Sequence, residues 1–199
     1  MPLRKEIWIK GYSKRYDEDV AFSAIPKCGS TSLRDALDSR KNFTNSEILT
    51  ISKRIAIIRH PQRKLFSGFY HYYKLNSKNK NGRQDEVPKS VTHNGDGSPN
   101  YEGYIDHLLL FDNVHWHPQT LLLGDTPNRY FRLDDISNVF NHFFEFHLQN
   151  ENSSRQQMTT NYRAEELKIK YAPDIDLYRS IEKINSPMFA VPSKADPWW

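Results

Sequence analysis

Val20-Ala21-Phe22-Ser23-Ala24-Ile25-Pro26-Lys27-Cys28-Gly29-Ser30-Thr31-Ser32-Leu33 is the stretch on which the fold turns. Residues 20–25 are mostly apolar, follow a charged run and stop at Pro26, so they read as a short buried strand. Residues 29–40 read as a helix. Ser30, Thr31 and Ser32 crowd its start, Leu33, Ala36 and Leu37 form an i, i+3, i+4 face, and Asp35 sits near the first turn. Between strand and helix the chemistry suits an anion. A helix start presents N–H groups without intrahelical partners and a partial positive charge. Gly29 permits close backbone approach, the three hydroxyls add donors, and Lys27 adds a full charge. The same residues also fit a plain capped helix with Lys27 on the surface. The nucleotide pattern G-x-x-x-x-G-K-[ST] is not met, because Lys27 precedes Gly29.

A second apolar run, residues 54–58, ends in Arg59-His60-Pro61, and Pro61 suits the first position of a helix carrying Leu65, Phe66, Phe69, Tyr72 and Tyr73. A strand-end arginine offers a planar fork for phosphate, and Ser67 follows two helical turns later. A solvated helix with surface charges is the alternative reading.

Taken in order, the two motifs resemble the sulfotransferases that use 3′-phosphoadenosine 5′-phosphosulfate (PAPS), in particular their carbohydrate-sulfating branch. The first motif is similar to the family's P-K-x-G-[ST]-[ST] loop. The second is similar to R-[DH]-P-x-x-R-x-x-S-x-[FY], counted at Arg59, Pro61, Arg63, Leu65, Ser67 and Phe69, with His60 where Asp is commoner. Three further stretches are similar to family blocks: residues 129–136, Asn152-Ser153-Ser154, and residues 171–178 (Y-A-P-D-I-D-L-Y). The resemblance implies a P-loop-NTPase-like fold and transfer of a sulfuryl group to a hydroxyl acceptor, a glycan or another alcohol, without a metal. It implies that Lys27, Cys28, Gly29, Ser30, Thr31 and Ser32 hold the 5′ end of the donor, that Arg59 and Ser67 hold its 3′-phosphate, and that Lys27 stabilises the leaving oxygen. His115 in Val114-His115-Trp116-His117-Pro118 matches the family's H-W-x-P segment and is the preferred general base, with His117, His60 and Glu47 as rivals. A structural histidine at a turn is an equal reading of His115. Two other classes stay open: a nucleotide-binding module without turnover, and a P-loop-like kinase using ATP and Mg²⁺. The spacing Cys28-x5-Arg34 also matches a phosphatase cradle in form, but it leaves residues 59–69 unexplained.

The remaining composition fits one domain over 1–199. Hydrophobic residues make up 37%, aromatics 13% and the net charge is +4, with Lys and Arg spread along the chain rather than blocked. That excess suits an anionic ligand and does not call for nucleic acid. The single cysteine, Cys28, excludes an internal disulfide, and no Cys/His spacing suits zinc. No run has signal-peptide or bilayer-spanning character, so a cytoplasmic compartment is the expectation. Residues 74–103 read as one long polar loop, either a functional lid or a disordered excursion. Residues 104–111 read as a helix, 120–123 and 129–133 as strands, and 134–147 as an amphipathic helix. Residues 165–171 and 174–184 read as two helices, and 187–199 as an irregular tail. Strands alternating with helices predict a three-layer α/β domain with a short parallel sheet flanked by helices.

Overall fold

Side chains alternate across a strand, so a strand apolar on both sides needs a layer over each face. The computed structural model describes residues 7–39, 41–78, 87–144 and 161–184. Its strands are β1 (Trp8–Ser13), β2 (Glu18–Ser23), β3 (Lys53–Ile58) and β4 (Arg129–Arg132), adjacent in that order. β2, β3 and β4 run parallel, and β1 pairs antiparallel with β2. The expected parallel sheet is therefore a mixed one. β1 escaped the sequence reading because Trp8 and Ile9 are its only buried apolar residues, while Lys10, Gly11, Tyr12 and the buried Ser13 give it the look of a polar lead-in. It returns to β2 through a tight turn in which Asp17 takes φ 53°.

The helices are α1 (Ser30–Ala36), α2 (Pro61–Lys78), α3 (Lys89–Thr92), α4 (Tyr101–Leu110), α5 (Gln119–Leu123), α6 (Ile136–Phe144) and α7 (Ala164–Ile184). One sheet face carries Trp8, Ala21, Ala56 and Ile58 and is covered by Leu122 and Leu123 of α5 and Tyr178 and Ile181 of α7. The other carries Ile9, Val20, Phe22, Ile55, Ile57 and Phe131 and is covered by Leu33 of α1 and Val139, Phe140 and Phe143 of α6. A third apolar cluster lies off the sheet, where Leu65, Phe69 and Tyr72 of α2 meet Tyr104 and Leu108 of α4 and Tyr171 of α7. The chain is thus a mixed α/β structure with helices on both faces.

Three further expectations change. Residues 120–123 are helical, not a strand. A Thr-Leu-Leu-Leu run is too short for periodicity to distinguish the two, and Leu121 stays 56% exposed while Leu122 and Leu123 are buried. Residues 74–103 are not one loop: α2 continues to Lys78, α3 occupies 89–92, and His93 bridges to Pro99. The two closing helices are one. α7 passes through Pro173 because Leu167, Tyr171, Asp174, Tyr178 and Ile181 form one buried stripe across it, and Pro173 itself faces outward. The tail at 187–199, residues 152–154 and the end of the 134–147 segment lie outside the described residues.

Pro173 removes one helical N–H and crowds the carbonyl one turn earlier. Pro173→Ala is expected to stabilise the fold by about 1–3 kcal/mol, read as a higher midpoint of urea unfolding. An unchanged or lower midpoint would show that the stripe does not hold α7 continuous.

Candidate functional site

β2 and β3 part early. Their ladder covers Val20, Ala21 and Phe22 only, and the Ile57 N–H donates instead to the Ser23 hydroxyl at 2.9 Å. The split opens at the C-terminal ends of the parallel strands, where open α/β sheets take their ligands. The chain beyond it turns tightly. The Cys28 N–H donates to the Ile25 carbonyl at 3.0 Å, Lys27 takes φ 68° and Gly29 φ 78°. α1 then starts, and the N–H groups of Ser30, Thr31 and Ser32 find no acceptor among the described residues.

Arg59, leaving the end of β3, donates from its guanidinium to the Lys27 carbonyl at 2.9 Å. The bond draws together two cations from separate segments. Lys27 is half-buried and has no carboxylate within ion-pair distance among the described residues. Burial first, then the Arg59 charge, pull its ammonium down to about 8. Burial also lowers Arg59, the Asp134 carboxylate works against this, and Arg63 adds to it. Around them, Arg63 reaches Asp134 at 3.5 Å, and the guanidinium of the buried Arg132 lies 4.4 Å over the Tyr178 ring while donating to the Tyr178 carbonyl. The His60 ring meets Tyr178 edge-on at 5.1 Å.

A buried polar cluster stands behind this face. Asp174 of α7, fully buried, accepts from the Gln119 and Thr120 N–H groups at 2.7 and 2.8 Å and caps α5 from outside. Gln119 contacts both Arg59 and Cys28. Lys64, fully buried on α2, donates to the His117 carbonyl. Sequence reasoning missed Lys64, Gln119 and Asp174 as polar core residues. The signal for Lys64 was present, since Lys64, Gly68 and Tyr72 share a helical face. Counted strictly from Arg59, the second basic position of the family pattern also falls on Lys64 and not on Arg63.

The structure brings together Lys27, the start of α1 and Arg59, while the ring of the next residue, His60, is buried against Tyr178. Two expected roles change within this group. The Cys28 N–H is taken by Ile25, so it is not available to a phosphate. At Gly29, a Cβ would come within 2.7 Å of Leu133 and 3.2 Å of Ile136, so the missing side chain serves packing against the strand-end turn. Ser67 is half-buried, one turn along α2 from Arg63. His115 is elsewhere: its ring stacks on His71 at 5.9 Å and meets Tyr72 edge-on at 5.5 Å. Pro61 starts α2, and His71 lies roughly 15 Å along the helix from it. His117 faces Asp112 at 3.5 Å. Glu47 closes an exposed turn, accepting from the Thr44 N–H at 2.7 Å and hydroxyl at 2.8 Å, which holds its carboxyl below the usual range.

Cys28 is fully buried and donates to Gln119 at 3.0 Å; burial pushes its thiol up to about 11. That removes the physical basis for a phosphatase-like nucleophile. The native protein is expected to resist iodoacetamide at pH 8 and to react once unfolded, and rapid alkylation of folded protein would contradict the burial. Gly29→Ala combines a left-handed backbone with the Leu133 contact, so a loss of about 1–3 kcal/mol in unfolding free energy is expected. A neutral result would mean that the loop does not need this glycine.

No protein-family model, no curated protein and no solved structure matches the chain.

Proposed function

We propose that this protein binds PAPS at the split between β2 and β3 and transfers its sulfuryl group to a hydroxyl acceptor. The observation that carries the reading is the Lys27–Arg59 apposition: two half-buried cations from separate segments, beside helix N–H groups that find no acceptor among the described residues. Such a cluster is electrostatically costly until an anion joins it. The donor would supply an activated sulfuryl group, whose bond to the 5′-phosphate breaks as the acceptor oxygen bonds to sulfur. Lys27 and the N–H groups of Ser30 to Ser32 suit the 5′ end, with Lys27 neutralising charge on the leaving oxygen. Arg59 suits the 3′-phosphate, with Ser67 proposed to assist from α2. His60, next to Arg59 in the chain, is proposed in place of His115, which packs on α2, to take the acceptor proton. A P-loop-NTPase-like arrangement fits the mixed sheet with helices on both faces. The packing of His115 against His71 and Tyr72 favours one second reading, a nucleotide-binding module without turnover.

The first test is binding of 3′-phosphoadenosine 5′-phosphate against ADP and AMP without metal. Preference for the 3′-phosphorylated nucleotide, reduced about tenfold or more by Arg59→Ala, is expected. Equal binding of ADP, or none, would remove the reading. Binding without sulfation of any offered alcohol would favour the second.

Lys27 also gives a pH signature. Its ordinary value is 10.5 and its folded value is about 8, so between these the unfolded chain holds more protons. The ligand-free fold should therefore gain stability as pH rises through that window. Nucleotide affinity should fall over the same range as the ammonium is lost, and Lys27→Met should flatten both profiles. Parallel trends, or none, would sink the assignment.

A further inference from the structure

Gln119 is fully buried, and its side-chain amide reaches three separate chain segments. Its Oε1 accepts the Arg59 N–H and the Cys28 S–H, each at 3.0 Å. Its Nε2 donates to the Arg59 carbonyl at 2.8 Å and to Asp174 at 3.3 Å. A neighbouring strand would offer residue 59 the same donor and acceptor. Arg54 bonds toward β4 and Ile57 toward Ser23 of β2, so by alternation the Arg59 N–H faces the β2 side, where the β2–β3 ladder has already ended and a side-chain amide stands in for the missing strand. Arg59 then donates to the Lys27 carbonyl, and Lys27 is covalently joined to Cys28, which closes the ring back to Gln119. Asp174 holds the Gln119 backbone from the other side at 2.7 Å.

We propose that Gln119 is the positioning residue that makes this site select a ligand with two separated phosphates. By fixing the Arg59 backbone and the Cys28 end of the loop in one register, it sets the spacing between the two cations. The inference rests on the donor reading above. It adds a residue that touches no ligand itself and acts through Arg59.

The test measures dissociation constants for 3′-phosphoadenosine 5′-phosphate and for AMP in wild type, Gln119→Leu and Gln119→Glu, each with and without Arg59→Ala. Melting temperatures of the nucleotide-free proteins are recorded alongside. Gln119→Leu should reduce the preference for the bisphosphate about tenfold while changing AMP affinity less than about threefold. Added to Arg59→Ala, it should reduce that preference no further. Equal weakening of both nucleotides, in both backgrounds, is the mark of a purely structural role and overturns the proposal. Should Gln119→Leu fail to fold, Gln119→Glu makes the same comparison. It keeps the shape and the acceptor but loses the donor, and a preference left unchanged by it overturns the proposal. A wild type that prefers neither nucleotide overturns the donor reading and this inference with it. A wild-type preference that survives in both Gln119 variants overturns this inference alone.

Discussion

The Asp174 carboxylate is the constraint on which the site depends. It is fully buried, and a buried carboxylate is tolerated only when its lone pairs are filled. Here both N–H groups at the start of α5, the Thr120 hydroxyl and the Gln119 amide fill them. In meeting that demand the carboxylate starts α5, aims Gln119 at Arg59 and ties α7 to the segment leading out of Pro118. Lys64 is buried in the same region, where burial lowers its ammonium and the Asp174 carboxylate partly offsets this. A charged core of this kind contributes little net stability, but it fixes one arrangement.

The front of the site shows the opposite balance. Asp174 is supplied with donors, whereas Lys27 and Arg59 share a small space with like charge. Asp134 touches the edge of the group through Arg63 and the Tyr178 hydroxyl, and it is exposed. Satisfied polar groups stand behind, and in front two cations lie close together with Asp134 partly offsetting the Arg59 charge. A surface of that kind is suited to receiving an anion rather than to stabilising the empty fold.

Much of this frame was legible in the sequence. The apolar runs around Phe22 and Ile57 located β2 and β3, and Pro61 fixed the start of α2. The two basic motifs at their ends were visible as residue types in order. What could not be read were relations at long range. Trp8 is buried by pairing its strand with β2 and by a bond from its indole N–H to Asn45, neither of which leaves a local pattern. α5 is helical because a carboxylate 54 residues away caps it. His115 matched a motif by spelling, but its place is set by aromatic packing on α2. Gly29 was read as room for a ligand, and it is room for Leu133. Local chemistry indicated where charge gathers, and tertiary packing decided which atoms are left to meet a ligand.

α7 carries Tyr171, Asp174 and Tyr178 along one stripe. Tyr171 donates to the Trp116 carbonyl, Asp174 holds α5, and Tyr178 sits among His60, Arg132 and Asp134. One helical face thus serves as a ruler for three separate loops. An inserted or deleted residue between 171 and 178 would turn one end of the stripe by about 100° relative to the other, leaving the loops without a common reference. The exposed connections can change length during divergence, but this stretch of helix cannot.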